Sequence, residues 1–281
     1  MDIFFRAVGF SNLDDINELM ETLHNSPDKR SIIGISYDET YIEHYKDLGM
    51  GLGITLCGTI CKDQKLKLKH ILPTVNSDIV TPIKQYSVED NEFTTVSYLD
   101  NNVNEILFIL QSGIDFISDK TGFIKYGHDI SKEKKVNVAA LSIWGTIILP
   151  IANNKNNNES HARHGSLRIK SKNSSKSENT IYTKESIKVI STRLHEEDLL
   201  SIVDSYFLPI EDGEQYCYDI LGYITAVKII KNFETWEDVY KITVVSVGVT
   251  QQIFINKYDV LGTPMVGMRF MGTCKLHGDI L

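Results

Sequence analysis

A chain of 281 residues with 42% hydrophobic content and a formal net charge of -8 is long enough for about two domains with ordinary cores. The acidic balance argues against broad, nonspecific nucleic-acid binding, which runs on Lys and Arg neutralising phosphates. Four cysteines, an acid at Asp2 and no basic leader read against a disulfide scaffold and against a signal peptide, so the expected compartment is the reducing cytoplasm.

Taken in order, FFRAVGF (4–10) reads as a strand. Ser11 and Asp14 then have the spacing of a capping box, and Leu13, Ile16, Met20 and Leu23 follow at helical spacing until Pro27. A strand is expected over 31–36. DETYIEHYKDLG (38–49) reads as a short helix, on which Glu39, Glu43 and His44 share a solvated face at i, i+4 and i+5. GLGITLCGTIC and LKLKHIL, joined by KDQK, alternate cleanly and read as a hairpin. Val103, Ile106, Leu107, Leu110, Ile114 and Ile117 form one stripe, which predicts a second helix over 101–118 packed on the sheet.

Residues 136–154, VNVAALSIWGTIILPIANN, carry no charge, yet Asn137, Ser142, Gly145, Thr146 and Pro150 interrupt them. They read as a hairpin of two short strands joined near Trp144 and Gly145, not as a membrane span. Residues 153–180 are poor in large apolar groups and set six basic side chains against Glu159 and Glu178. Such a stretch cannot bury enough surface to offset its ordering entropy, so a disordered basic Asn/Ser/Lys-rich linker is expected there.

After it, SIKVIST reads as a strand and 195–207 as a helix. Leu199, Ile202, Val203, Tyr206 and Phe207 fall on one face of that helix, Glu196, Glu197 and Asp198 in its first turn, and Pro209 stops it. Four β-runs follow: YDILGYITAVKIIKN, VYKITVVSV, TQQIFINKYDV and MVGMRFMGTCKL. The expected fold class is α+β. An N-terminal mixed α/β region with antiparallel hairpins fills 1–152, and 153–180 is the linker. In 181–281 a C-terminal helix packs on a small curved antiparallel sheet or OB-like barrel.

The tempting motifs resolve into ordinary structure. Gly262 and Gly267 fit the first places of a phosphate-binding loop, but Met268 and Arg269 stand where Lys and Ser or Thr are required. Val266, Met268, Phe270, Cys274 and Leu276 share one parity and Arg269, Thr273, Lys275 and His277 the other, so this stretch predicts a strand with one buried and one wet face. Arg269, Lys275 and His277 are therefore the candidate ligand-binding face, able to grip an anionic ligand or RNA. Gly49, Gly51 and Gly53 read as a turn and strand entry rather than a dinucleotide fingerprint. Cys57 and Cys61 lie about 13 Å apart along a strand, too far for a disulfide or one shared zinc. His161 and His164 fall in the linker, and His195 heads a helix as a surface residue. No catalytic, cofactor-binding or metal-ligating residue is assigned.

FFRAVGF, GLGITLCG, IVDSYFLP, YDILGYI and VGMRFMG followed by LHG resemble the recurring blocks of an uncharacterised family from Clostridia-type Firmicutes, known as a domain of unknown function. The resemblance covers nearly the whole chain outside the linker and implies a cytoplasmic bacterial protein, with no catalytic residue carried over. The expected function is a non-enzymatic binding or interaction module with a protein or nucleic-acid partner and no membrane. The alternative is an enzyme with a non-motif active site in the cleft between the two domains. Converging His, Cys or carboxylate groups in a deep apolar pocket would favour the enzyme. A shallow basic face with exposed aromatics, such as Tyr223 or Phe254, would favour binding.

Overall fold

The computed structural model describes residues 2–12, 14–62, 65–89, 94–99, 105–113, 128–150, 203–210 and 216–281. The chain opens not as a strand but as a 3-10 turn, Ile3–Val8. The Asp2 carboxylate accepts from the Phe4 amide at 3.0 Å, and Gly9 closes the turn at φ 93°. The one α-helix among the described residues, α1 (Asp14–Asn25), lies where the apolar spacing predicts it. Asn12 supplies the cap, its side-chain oxygen 3.2 Å from the Asp14 amide, while Ser11 bonds Glu237 instead.

Four strands then form an antiparallel meander: β1 (Lys29–Gly34), β2 (Glu39–Gly49), β3 (Leu52–Cys61) and β4 (Leu66–Val75). The helix expected over 38–49 is thus overturned, because that segment is β2. Tyr41, Ile42, Glu43 and His44 are all buried, so both faces of the strand are covered and the alternation that marks a half-exposed strand is lost. Tyr41, Ile42, Tyr45 and Leu48 then mimic a helical stripe. The expected hairpin is present as β3 and β4.

The remaining strands share one mixed sheet: β5 (Val80–Glu89), β6 (Thr94–Leu99), β7 (Glu105–Leu110), β8 (His128–Ser142), β9 (Gly145–Ile148), β10 (Tyr206–Pro209), β11 (Cys217–Lys231), β12 (Asp238–Ser246), β13 (Val249–Asn256), β14 (Val260–Leu261) and β15 (Arg269–Ile280). Strands from both sides of 153–180 pair within it, so the boundary between 1–152 and 181–281 does not divide the sheet. The fold is mostly β, which corrects the α+β expectation. The middle of the helix expected over 101–118 is β7, and its ends lie outside the described residues. No C-terminal helix packs on a sheet among the described residues. Val203 to Ser205 have no regular structure, Tyr206 begins β10, and 195–202 fall outside the description, as do SIKVIST and the linker.

β15 organises this sheet. Its Leu276–Ile280 half pairs antiparallel with Val136–Ala140 of β8. That ladder closes two circuits. β11, β12, β13, β8 and β15 form one ring, with β13 and β8 parallel. β8, β5, β6, β7 and β15 form the other. β8 and β9 turn at Trp144 and Gly145 as expected, but they are not a hairpin, since each pairs with a different stretch of β15. The Ser142 hydroxyl holds the break between the two ladders, 2.7 Å from the Trp144 carbonyl and 2.8 Å from that of Thr273.

Alternation then sorts the side chains. Ala140, Ile220, Ile242, Ile253, Phe270, Cys274 and Leu276 fill the first ring. Ala139, Leu141, Cys217, Val239 and Phe254 point outward and are covered by Phe4, Phe5 and Val8, by Ile16 and Leu23 of α1, and by Leu52, Ile54 and Leu56 of β3. The outer face of the ring is therefore a second core and not a wet surface.

Gly278 lies in the shared ladder opposite Val138, and a Cβ there would meet the Asn137 carbonyl at 2.6 Å. Gly278→Ala must push two paired strands apart, so urea unfolding should show a loss of about 1–3 kcal/mol.

Candidate functional site: an aromatic platform on a rigid hairpin

The row singled out from the sequence is present on one face of β15, but that face is covered, by Asp2 and Phe4 at Lys275 and by Leu149 and Val203 at Arg269. Arg269, Lys275 and His277 are buried. Arg269 spends its guanidinium on two carbonyls, Leu149 at 3.0 Å and Val203 at 2.9 Å, and so ties together the chain on either side of 150–202. Lys275 bonds the Asp2 carboxylate at 2.9 Å and lies 5.1 Å above the Phe4 ring, which pins the opening 3-10 turn. Neither ring nitrogen of His277 meets a partner at hydrogen-bonding geometry. Burial first, then the Lys275 charge, push its pKa down to about 3, against the weaker pull of Asp2 and the Pro73 carbonyl. These three side chains serve internal contacts, and the expected wet face is corrected to an interior one. Of the two expected aromatics, Phe254 is buried and Tyr223 half-buried, with its hydroxyl 3.1 Å from Asp204.

Treating 38–49 as a strand brings together a constellation that the helical reading concealed. Glu43, Cys57 and His70 are directly opposite one another on β2, β3 and β4. Direct partners in an antiparallel ladder share a face with Cβ atoms about 5 Å apart. His44 belongs to the other face, its ring 5.8 Å from that of His24 on α1, so the Glu39/Glu43/His44 face does not exist. Glu43 is buried and accepts from the Tyr41 hydroxyl (2.9 Å), the Ser112 hydroxyl (2.8 Å) and the Gly113 amide (2.7 Å). Burial, with Glu43 next, pushes the Cys57 thiol up to about 12. Burial likewise holds His70 down to about 4. At neutral pH this row offers a protonated thiol beside a neutral imidazole, the reverse of an activated nucleophile. Its chemistry is that of a satisfied polar core. No disulfide joins Cys57, Cys61, Cys217 or Cys274, and no group of three or more His, Cys, Asp or Glu could hold a metal among the described residues. Among those residues no helix is long and apolar enough to cross a membrane.

What the surface does offer is apolar. The β2–β3 turn and the β11–β12 loop meet side by side and expose Met50 (48%), Phe233 (54%) and Trp236 (69%). The Phe233 amide donates to the Leu48 carbonyl at 2.7 Å, the Lys231 amide to Met50 Sδ at 3.4 Å, and the Phe233 and Trp236 ring centroids lie 6.3 Å apart. The Phe233 ring covers Gly49, where a Cβ would stand 2.3 Å from it and where φ is 91°. Two of the exposed residues hold left-handed backbone: Met50 at φ 56° and Trp236 at φ 62°. For a bulky L-residue this costs about 1–2 kcal/mol.

The loop is stiff enough to hold that strain. Asn232 is fully buried, and its side-chain oxygen accepts from the Glu234 and Thr235 amides at 2.8 and 3.2 Å. Its amide nitrogen donates to the Val8 carbonyl at 2.8 Å, while the Thr235 hydroxyl reaches the Gly9 carbonyl at 2.6 Å. Glu237 closes the loop by accepting from the Ser11 amide at 3.2 Å and from Asn256 at 2.5 Å. The signal for this platform was legible in NFETWED: two aromatics in a polar turn between two β-runs, where nothing local needs them.

Two outcomes follow from the buried row. Arg269→Met removes the donor from the buried Val203 bond and from the partly exposed Leu149 carbonyl and should cost about 1–3 kcal/mol in urea unfolding, of which Arg269→Lys recovers part, having no fork. As pH falls below 6.5, unfolded His277 takes up a proton that the folded residue accepts only near 3. The unfolded state then binds more protons, so stability falls with pH by up to about 1.4 kcal/mol per unit, and His70 adds to it with the same sign. His277→Leu should flatten that fall between pH 6.5 and 5; unchanged slopes would contradict a buried neutral His277.

A search of curated proteins and a search of solved structures each found no match. A family model does match, over residues 5–278, which spans both sheets, both rings and the platform. The chain belongs to the family described as "Domain of unknown function, E. rectale Gene description (DUF3881)".

Proposed function

We propose that this protein is a non-enzymatic interaction module that binds a protein partner through the Met50/Phe233/Trp236 platform. The observation that carries the reading is the exposure of Phe233 and Trp236 on a loop whose backbone is fixed by Asn232, Thr235 and Glu237. Trp, aromatic and Met side chains are enriched where proteins meet, and a pre-ordered anchor loses little freedom on binding. The enzyme alternative finds less support, because the Glu43/Cys57/His70 row holds its thiol and imidazole neutral. A nucleic-acid partner finds less as well, since Arg269, Lys275 and His277 are buried in a chain of net charge -8. The reading includes the cytoplasm as the compartment, supported by four cysteines with no disulfide among them.

The test is a pull-down from a lysate of the source organism, with and without nuclease. Wild-type chain should recover protein that nuclease does not release, and Trp236→Ala should weaken recovery at least about tenfold while leaving the unfolding midpoint unchanged. Recovery that nuclease abolishes, or that is indifferent to Trp236→Ala and Phe233→Ala, overturns the reading.

A further inference from the structure

Exposed aromatics by themselves suit three kinds of occupant: a protein segment, unstacked bases or a lipid interface. The charges beside these aromatics separate them. Asp28 accepts from the Asp47 amide at 2.8 Å, and Asp47 in turn accepts from the Gly49 amide at 3.0 Å, directly beneath the Phe233 ring. Glu234 follows Phe233 in the chain. The ammonium that pairs with them is Lys46, 3.5 Å from Asp28 and 3.7 Å from Glu234; Lys29, beside Asp28 in the chain, is exposed and makes no ion pair among the described residues. Lys46 is largely covered, at 19% side-chain exposure, whereas Asp28 and Glu234 remain at 47% and 42%. On the Trp236 side, Lys231 and Lys257 are both engaged by Asp238, at 2.6 and 3.2 Å, and Lys231 also donates to the Trp236 carbonyl at 3.1 Å. The solvent beside Phe233 and Met50 therefore faces half-exposed carboxylates that the covered Lys46 offsets only in part.

We infer that the platform receives a basic protein segment: an aliphatic or aromatic anchor seated on Phe233, Trp236 and Met50, flanked by Lys or Arg that meet Asp28, Asp47 and Glu234. Phosphate, whether of a nucleic acid or of an anionic lipid surface, is repelled by the same carboxylates, which removes the other two occupants. This inference rests on the protein-binding reading proposed above and adds the chemistry of the partner. Because the carboxylates are exposed, their attraction acts mainly on encounter and weakens with salt.

The probe is a displayed library of random peptides selected on the purified full chain. The Trp144→Phe variant leaves Trp236 as the sole tryptophan, so its emission reports peptide binding directly. Selected peptides should carry an apolar anchor with flanking Lys or Arg, shift Trp236 emission saturably, and bind about tenfold more weakly after Phe233→Ala or at high salt. Selection on the folded Asp28→Lys, Glu234→Lys double variant should move the flanks to Asp and Glu. Neutral or acidic winners on the wild-type chain that still need Phe233 overturn the partner chemistry and leave the platform reading standing. Winners indifferent to Phe233 and Trp236 overturn both. A larger emission shift from phosphatidylglycerol vesicles or an oligothymidylate than from the basic peptides, or self-association abolished by Trp236→Ala, assigns a different occupant and also sinks the inference.

Discussion

The antiparallel ladder between Val136–Ala140 and Leu276–Ile280 is the constraint on which the rest of the molecule depends. It joins strands 140 residues apart in sequence, and both rings close through it. β8 supplies the wall that β13 needs as a parallel neighbour and β5 as an antiparallel one. β15 supplies the wall that β11 and β7 need on its other side. Close approach at this seam requires little side-chain bulk, which explains Ala139, Ala140 and Gly278 within it. Apolar area buried inside a ring is gained only when the last strand docks, so the ordering entropy of all its strands is recovered in one step.

Ring closure also dictates where charge goes. A strand paired on both edges and covered on both faces has no wet side, so the polar residues of β15 must find partners within the fold. Arg269 and Lys275 find them at the points where the chain most needs fastening. The guanidinium fork matches two converging carbonyls, and the ammonium, over an aromatic ring, matches a single carboxylate at the start of the chain. Buried cations in such positions are fasteners with directional donors.

The same physics decides how much of this was legible in the sequence. Period-two alternation identified β3, β4 and the four C-terminal runs, because residue type alternates along them even where burial does not, as Leu52, Ile54 and Leu56 alternate with Gly53 and Thr55 in β3. It failed in β2 and β7, enclosed strands whose sequence lacks that beat. In β2, Tyr41 to His44 are buried regardless of parity, and in β7 the unbroken run Ile106 to Leu110 lacks any polar beat, so helical spacing matched by default. FFRAVGF failed in the other direction: Asp2 and Gly9 are the start and stop of a short helical turn, and its large apolar residues outweighed them. The wet face of β15 was misjudged because alternation reports polarity, not exposure; what covers Arg269 and Lys275 comes from residues remote in sequence, Leu149 and Val203 for the first and Asp2 and Phe4 for the second. The platform was within reach, since aromatic residues in a tight polar turn have no local reason to be there.

Placement of the strain strengthens the choice between catalysis and binding. A catalytic group needs its protonation state tuned toward the working pH, and burial here moves Cys57 and His70 away from it. An anchor needs a fixed geometry, and here two turns from different sheets are locked together with Met50 and Trp236 held in left-handed backbone. Left to local preference, both turns would relax by about 1–2 kcal/mol per residue and turn these side chains elsewhere. The fold opposes that relaxation with Asn232, Thr235 and Glu237, three side chains committed to holding one loop against the N-terminal segment. Exposed aromatics on a loop held in this way keep one geometry, and the binding proposal rests on that.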